Sequence, residues 1–443
     1  MNLSKSRLFL KLIIILFCQN AIAIKTTGRI ILGTAAVTER YASNAFGSTS
    51  NDLLVVSSRV FYKISEVGED KWEYIFDLRD KHDFFGKLNK EQLQLESKNE
   101  FQIRQMNARW LNPQGSWAAQ FGRFQVFESG SIYLDGFATE YRFNPEWKTG
   151  LLAGLNPKSV EISYLEYNSK ASQNGVYFTY QKNDHAWNEN QYFTLAYVNQ
   201  YFNSQVERSF LYNNFVYQWD TESRLINSVY YDVAPSANLQ TLNFIYQQKI
   251  TEYITSEISA LHLDVSAYKR NQSVLEKLTS SPYDESRLQL EYKFNQDNLA
   301  IQVISGKRKF DGNKKEEVIL GYDWNNLFTN SFDLKTQLGY INNFTSKDNY
   351  IKLALGYYSK NWEINFDNQL GQNKNDDDTI TSPIVSEIGI TSYFSKQLYF
   401  NASFQRAADQ NVTIISTFLR FGYRFGNQEI PPVRNGAPPR GAL

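Results

Sequence analysis

The stretch FLRFGYRFG, Phe418 to Gly426, alternates without a break. Leu419, Phe421, Tyr423 and Phe425 fall on one side of an extended chain, and Arg420, Gly422 and Arg424 on the other. Successive side chains of a strand point to opposite faces. A strand with large aromatics on one face and arginines on the other divides two solvents. After it comes NQEIPPVRNGAPPRGAL, residues 427–443, rich in Pro and Gly and without an apolar face. That tail is expected to be flexible.

The same period of two runs back through the chain. In WEYIFDL, Trp72, Tyr74, Phe76 and Leu78 stand opposite Glu73 and Asp77. In LQLEYKF, Leu288, Leu290, Tyr292 and Phe294 stand opposite Gln289, Glu291 and Lys293. YIKLALGYY and WEINFDNQL repeat the pattern, and helical periodicity is weak throughout. The chain is polar on average, yet 15% of its residues are aromatic. Tyr and Trp favour membrane interfaces, because each has an apolar body and a polar handle.

A β-sandwich also alternates, with its apolar faces turned inward. A membrane barrel turns them to lipid and lines its lumen with the polar side. Three features favour the barrel. The alternation runs with no domain-sized break, aromatics gather at strand ends, and connections alternate in length. EVGED, NPQG, DTES, NQD, SKN and SKQ are short; KHDFFGKLNKEQLQLESKNE, KRNQSVLEKLTSSPYDE and QNKNDDDTITSP are long. NDHAWNEN is long for the short side, and APSAN and DGNKK are short for the long side. The expected fold is all-β: a single antiparallel up-and-down transmembrane barrel. It should have roughly 16 to 22 strands, with about 22 the best count, short periplasmic turns and longer outer loops.

The start of the chain supplies a compartment. MNLSKSRLFLKLIIILFCQNAIA has a basic start, an apolar run from Leu8 to Phe17, and Ala21-Ile22-Ala23. That is the three-part pattern of a secretory signal peptide, cleaved after Ala23. Expected divisions are therefore a signal peptide at 1–23, a barrel at 24–426 and a periplasmic tail at 427–443. Cys18 is the only cysteine, so no disulfide or thiolate metal site is expected in the mature chain. Lys plus Arg equals Asp plus Glu, at 46 each, which gives nucleic acid no electrostatic claim on the chain.

These features together resemble a Gram-negative outer-membrane porin or porin-like channel. Leu419, Phe421, Tyr423 and Phe425 resemble the closing β-signal of that class, which implies recognition by the barrel-assembly machinery. The tail departs from the pattern, since such signals usually end the chain. FGRFQVFESGSIYLDG, Phe121 to Gly136, resembles the strand and constriction loop of porins. The resemblance implies that FESGSIYLDG folds into the lumen; alternatively SIYLDGF begins the next strand. If the loop folds in, Glu128 and Asp135 would face basic wall residues, with Arg59, Arg79, Arg123 and Arg142 the candidates for a constriction.

No enzymatic site is expected. The histidines are His82, His185 and His262, and no G-x-S-x-G accompanies them. His262 has Asp264 two residues on, hence on the same face. The acidic run NDDDT lacks the spacing of a calcium loop, and no paired His or Cys suggests zinc. No cofactor is expected. The sequence points to passive diffusion of small hydrophilic solutes or ions through the outer membrane. Lipid, lipopolysaccharide and the assembly machinery would be its partners, and oligomerisation stays open. The alternative is a non-conducting scaffold or surface-receptor barrel.

Overall fold

The structure, a computed structural model, describes residues 25–41, 49–67, 71–83, 99–157, 167–184, 189–264, 282–309, 311–327 and 331–426. The expected signal peptide and tail, and His185, lie outside these residues. The strands in chain order are β1 (Lys25–Tyr41), β2 (Thr49–Val67), β3 (Trp72–Asp83), β4 (Asn99–Leu111), β5 (Trp117–Val126), β6 (Ile132–Arg142), β7 (Trp147–Pro157) and β8 (Tyr167–Asp184). Next are β9 (Glu189–Phe202), β10 (Gln205–Gln218), β11 (Arg224–Ala234), β12 (Asn238–Lys249), β13 (Ile254–Leu263), β14 (Tyr283–Phe294), β15 (Asp297–Arg308) and β16 (Lys314–Trp324). The last are β17 (Phe332–Asn342), β18 (Ser346–Tyr358), β19 (Trp362–Asn375), β20 (Ile380–Thr381), β21 (Ile384–Tyr393), β22 (Leu398–Ala408) and β23 (Val412–Gly426).

Each strand pairs antiparallel with its neighbours in sequence, and β23 returns to β1 from Thr27↔Gly426 to Tyr41↔Val412. Of the 23 segments, β20 is a two-residue bridge to Asn373 and Lys374, while β19 otherwise pairs with β21. Twenty-two strands therefore form a closed wall, the upper end of the expected range. In lipid no water can satisfy a free backbone N–H or C=O, so a spanning sheet must close on itself. β23 performs that closure.

The two faces separate as the alternation requires. On β14, Leu288, Leu290 and Tyr292 are exposed on the outer face, while Gln289 donates to Glu291 on the inner one. Outer rings run in a row near the short turns. Tyr292, Phe294, Tyr322 and Trp324 stand 4.2–5.7 Å apart from one to the next, an interfacial girdle in form. At the opposite end some neighbouring strands are far apart in sequence, as from Asp83 to Asn99 and from Leu263 to Tyr283. That end also has tight connections, at Asn203-Ser204 and at 235–237. Within the wall, cross-strand ion pairs tie the polar lining together: Lys335 meets Asp323 at 3.3 Å, and Lys63 meets Glu73 at 3.0 Å.

Candidate functional site

One hairpin leaves the wall. β5 and β6 pair with each other along their full length, up to Val126↔Ile132. Yet β5 pairs with β4 only as far as Arg123, and β6 pairs with β7 only from Asp135 onward. The departure point is Gly122, whose φ of 111° disfavours any other residue; a Cβ there would lie 2.3 Å from the Met106 carbonyl. Side chains take over where the ladder stops. Asn107 Nδ2 donates to the Arg123 carbonyl at 3.2 Å, and Gln120 Nε2 donates to Asn107 Oδ1 at 2.9 Å. Arg123 Nη1 donates to the Ile103 carbonyl, on the part of β4 that β5 no longer pairs.

Its destination is the lumen. On β8 to β11, Val176, Leu195, Leu211 and Tyr231 are exposed on the outside, so Tyr177, Ala196, Tyr212 and Tyr230 point inward. Phe124, Val126 and Leu134 of the hairpin pack against those inward residues, with Phe210 and Val198. Phe124 is 1% exposed and Leu134 0%, and burying such side chains stabilises by roughly 1.5–3 kcal/mol each. The tip is a short 3₁₀ turn, Phe127–Ser129, closed by Gly130 in the left-handed region. Tyr230 Oη donates to the Gly130 carbonyl at 2.6 Å, and Thr194 Oγ1 donates to the Glu128 carbonyl at 3.2 Å. Gln173 Nε2 donates to the Tyr133 carbonyl. FESGSIYLDG is thus both things at once: Ile132 begins a strand, and that strand is part of an inward-folded hairpin.

The carboxylates of the hairpin find cations. Glu128 meets Lys148 at 2.6 Å, and Asp135 forms a two-pronged pair with Arg123 at 2.5 Å. Glu140, buried below the tip, is held by Lys148 and Arg142 at 3.0 Å and by Arg109 at 3.8 Å. Arg59 is paired to Asp77 at 2.6–2.7 Å, and Arg79 stands opposite Arg59 in register. Between hairpin and wall lies a cavity of about 360 Å³, lined among others by Lys63, Glu73, Arg109, Gln125, Glu140 and Lys148. Lys148 was not singled out by the sequence reading. Its place two residues before Gly150 and four before the inward Leu152 is the signal that could have found it.

Other residues singled out from the sequence lie elsewhere. His262 Nδ1 contacts Asp284 at 2.5 Å on the next strand, whereas Asp264 accepts from Asn238. Among the described residues no group of three His, Cys, Asp or Glu is placed to hold a metal. Leu419 and Phe421 are exposed on the outer face of β23, and Arg420 and Arg424 stack inside on Phe418 and Tyr399.

No protein family and no curated protein matches the chain. Among solved structures the chain is similar to Pseudomonas aeruginosa OpdK with vanillate, at 9% identity and a TM-score of 0.44, over 90% of this chain and 99% of that one. Acinetobacter baumannii OccAB4 is similar at 9% identity and 0.43, over 90% and 98%. The translocation pore of the P pilus usher PapC is similar at 8% identity and 0.48, over 90% and 99%.

Proposed function

We propose that the chain is an outer-membrane channel that passes small hydrophilic solutes or ions by passive diffusion. The observation that carries this reading is the inward hairpin on the polar side of a closed wall. The polar groups of the folded-in segment line a water-accessible space, which favours a pore over a sealed scaffold. In a pore, narrowing the passage brings solutes against fixed charges. The outer face supports the membrane setting: an apolar belt with a ring of aromatics near the short turns. Its partners are then lipid, lipopolysaccharide and the assembly machinery.

The test is conductance of the purified full chain in a planar bilayer. Stable single-channel steps are the expected result. Electrical silence from protein that still shows the heat-resistant, compact migration of a folded barrel overturns the channel and leaves the scaffold or surface receptor.

A further inference from the structure

Ion pairing in the lumen is uneven around the barrel. Arg59, Arg123, Arg208 and Arg287 are matched by Asp77, Asp135, Asp232 and Glu285. The closing seam is one place where cations lack such partners. Arg29 of β1 and Arg424 of β23 are directly opposed in register, and both face inward. Arg420 lies on the same face of β23, four residues before Arg424. None of the three has an ion pair among the described residues.

Instead each lies over a ring. Arg29 Cζ is 5.8 Å from the centre of Phe61 on β2, and Arg424 Cζ is 5.3 Å from Tyr399 on β22. Arg420 Cζ is 4.9 Å from Phe418. Phe61 and Tyr399 flank the seam on opposite sides, so the opposed guanidinium groups lean apart. Like charges directly across an antiparallel pair destabilise it, and leaning apart relieves only the repulsion. Among the described residues no side-chain hydrogen bond uses their donors. Arg29 Nε is buried with no partner among the described residues, as is Nε of the paired Arg287.

We propose that the seam is an oxyanion-binding site, with Arg29 and Arg424 swinging off their rings to grip a carboxylate or phosphate group between them and Arg420 attracting it. The planar guanidinium fork matches such groups in two-pronged fashion. An anion there cancels the repulsion. The use of the site, selecting anions, rests on the channel reading; the binding itself does not.

The test is calorimetric titration of the full chain, folded in detergent at low salt, with inorganic phosphate and separately with acetate. Arg29→Gln with Arg424→Gln is expected to lower affinity about tenfold or more, since two charge-assisted contacts are lost. Arg308→Gln, which removes a paired arginine near the opposite end, is expected to change nothing. Arg29→Lys with Arg424→Lys, which keeps the charge but loses the forks, should fall between. Binding of phosphate but not acetate assigns the site to phosphate groups, and the reverse to carboxylates. No binding to the natural chain, or equal binding to the glutamine variant in its folded form, overturns the site. A silent bilayer beside intact phosphate binding overturns the channel and leaves the site standing.

Discussion

The ring of Phe425 lies 5.7 Å from the ring of Tyr62, and the strand between them contributes only Gly28 at that level. Gly28 stands opposite both residues, and a Cβ there would lie 2.4 Å from the Phe425 ring. The last strand is thus locked to the second across the first. Tyr62 is 4% exposed although it sits on the outer face.

Closure gives the first prediction. Phe425→Asp should sharply reduce the amount of barrel in the outer membrane, while deletion from Asn427 onward should cost little. Acidic residues are tolerated better than Lys or Arg near a membrane interface, so lost recognition and lost ring packing outweigh the charge itself. Membrane fractionation with heat-shifted migration measures this. Normal insertion of Phe425→Asp together with failed insertion of the truncated chain would sink it.

Orientation is tested by single cysteines, since Cys18 is the only native one and lies in the expected signal peptide. An impermeant thiol label on intact cells should modify a cysteine placed in Asp376–Asp378. It should miss one placed in Ser395–Gln397. The opposite pattern would turn the barrel over.

The hairpin anchor is tested by Tyr230→Phe, which removes the hydroxyl that donates to the Gly130 carbonyl. A lost hydrogen bond of this kind costs about 0.5–1.5 kcal/mol, enough to loosen the tip without unfolding the barrel. Single-channel records should become noisier, with a larger mean conductance. Leu134→Ala should do more, because emptying a buried site costs about 2–5 kcal/mol. Unchanged records from both variants would mean that the hairpin does not limit flow.

Charge at the proposed constriction is tested by Glu128→Gln with Asp135→Asn. Each carboxylate now balances a named cation, so their loss leaves Lys148 and Arg123 in excess. Reversal potential in a salt gradient should move toward anion preference, most at low salt where screening is weakest. No movement at any salt would place both carboxylates away from the ion path.

Acid stability is tested at the short turn between β10 and β11. Lys293, at 2.5 Å, and also Lys249 hold the Glu222 carboxyl below its ordinary value of 4.5. The folded value lies under the unfolded one, so the contribution is fully present above about pH 4.5 and fades as pH falls through the folded value. Glu222→Gln should therefore lower the unfolding temperature at pH 7 slightly and lose that deficit as pH falls through the folded value. A deficit that stays constant from pH 7 into acid would show that the pair does not stabilise the fold.

The sequence by itself determined which side of each strand meets lipid. Period-two alternation is a local property, so Leu419, Phe421 and the inward Arg420 could be assigned without knowing any neighbour. It also determined that the sheet must close, because an aromatic lipid-facing strand with a free edge cannot persist in a bilayer. Partner choice was a matter for the tertiary structure. His262 and Asp264 share a face, but residues two apart on one strand are about 6.5–7 Å apart. Directly opposed residues on neighbouring strands approach to about 4.5–5.5 Å, so register gave His262 to Asp284 and Lys335 to Asp323. The hairpin shows the same limit on a larger scale. Gly122 permits the bend, yet what holds Phe124 and Gly130 in place is Tyr230, a hundred residues later in the chain. No local pattern can specify a contact whose other half exists only once β8 to β11 have formed a wall.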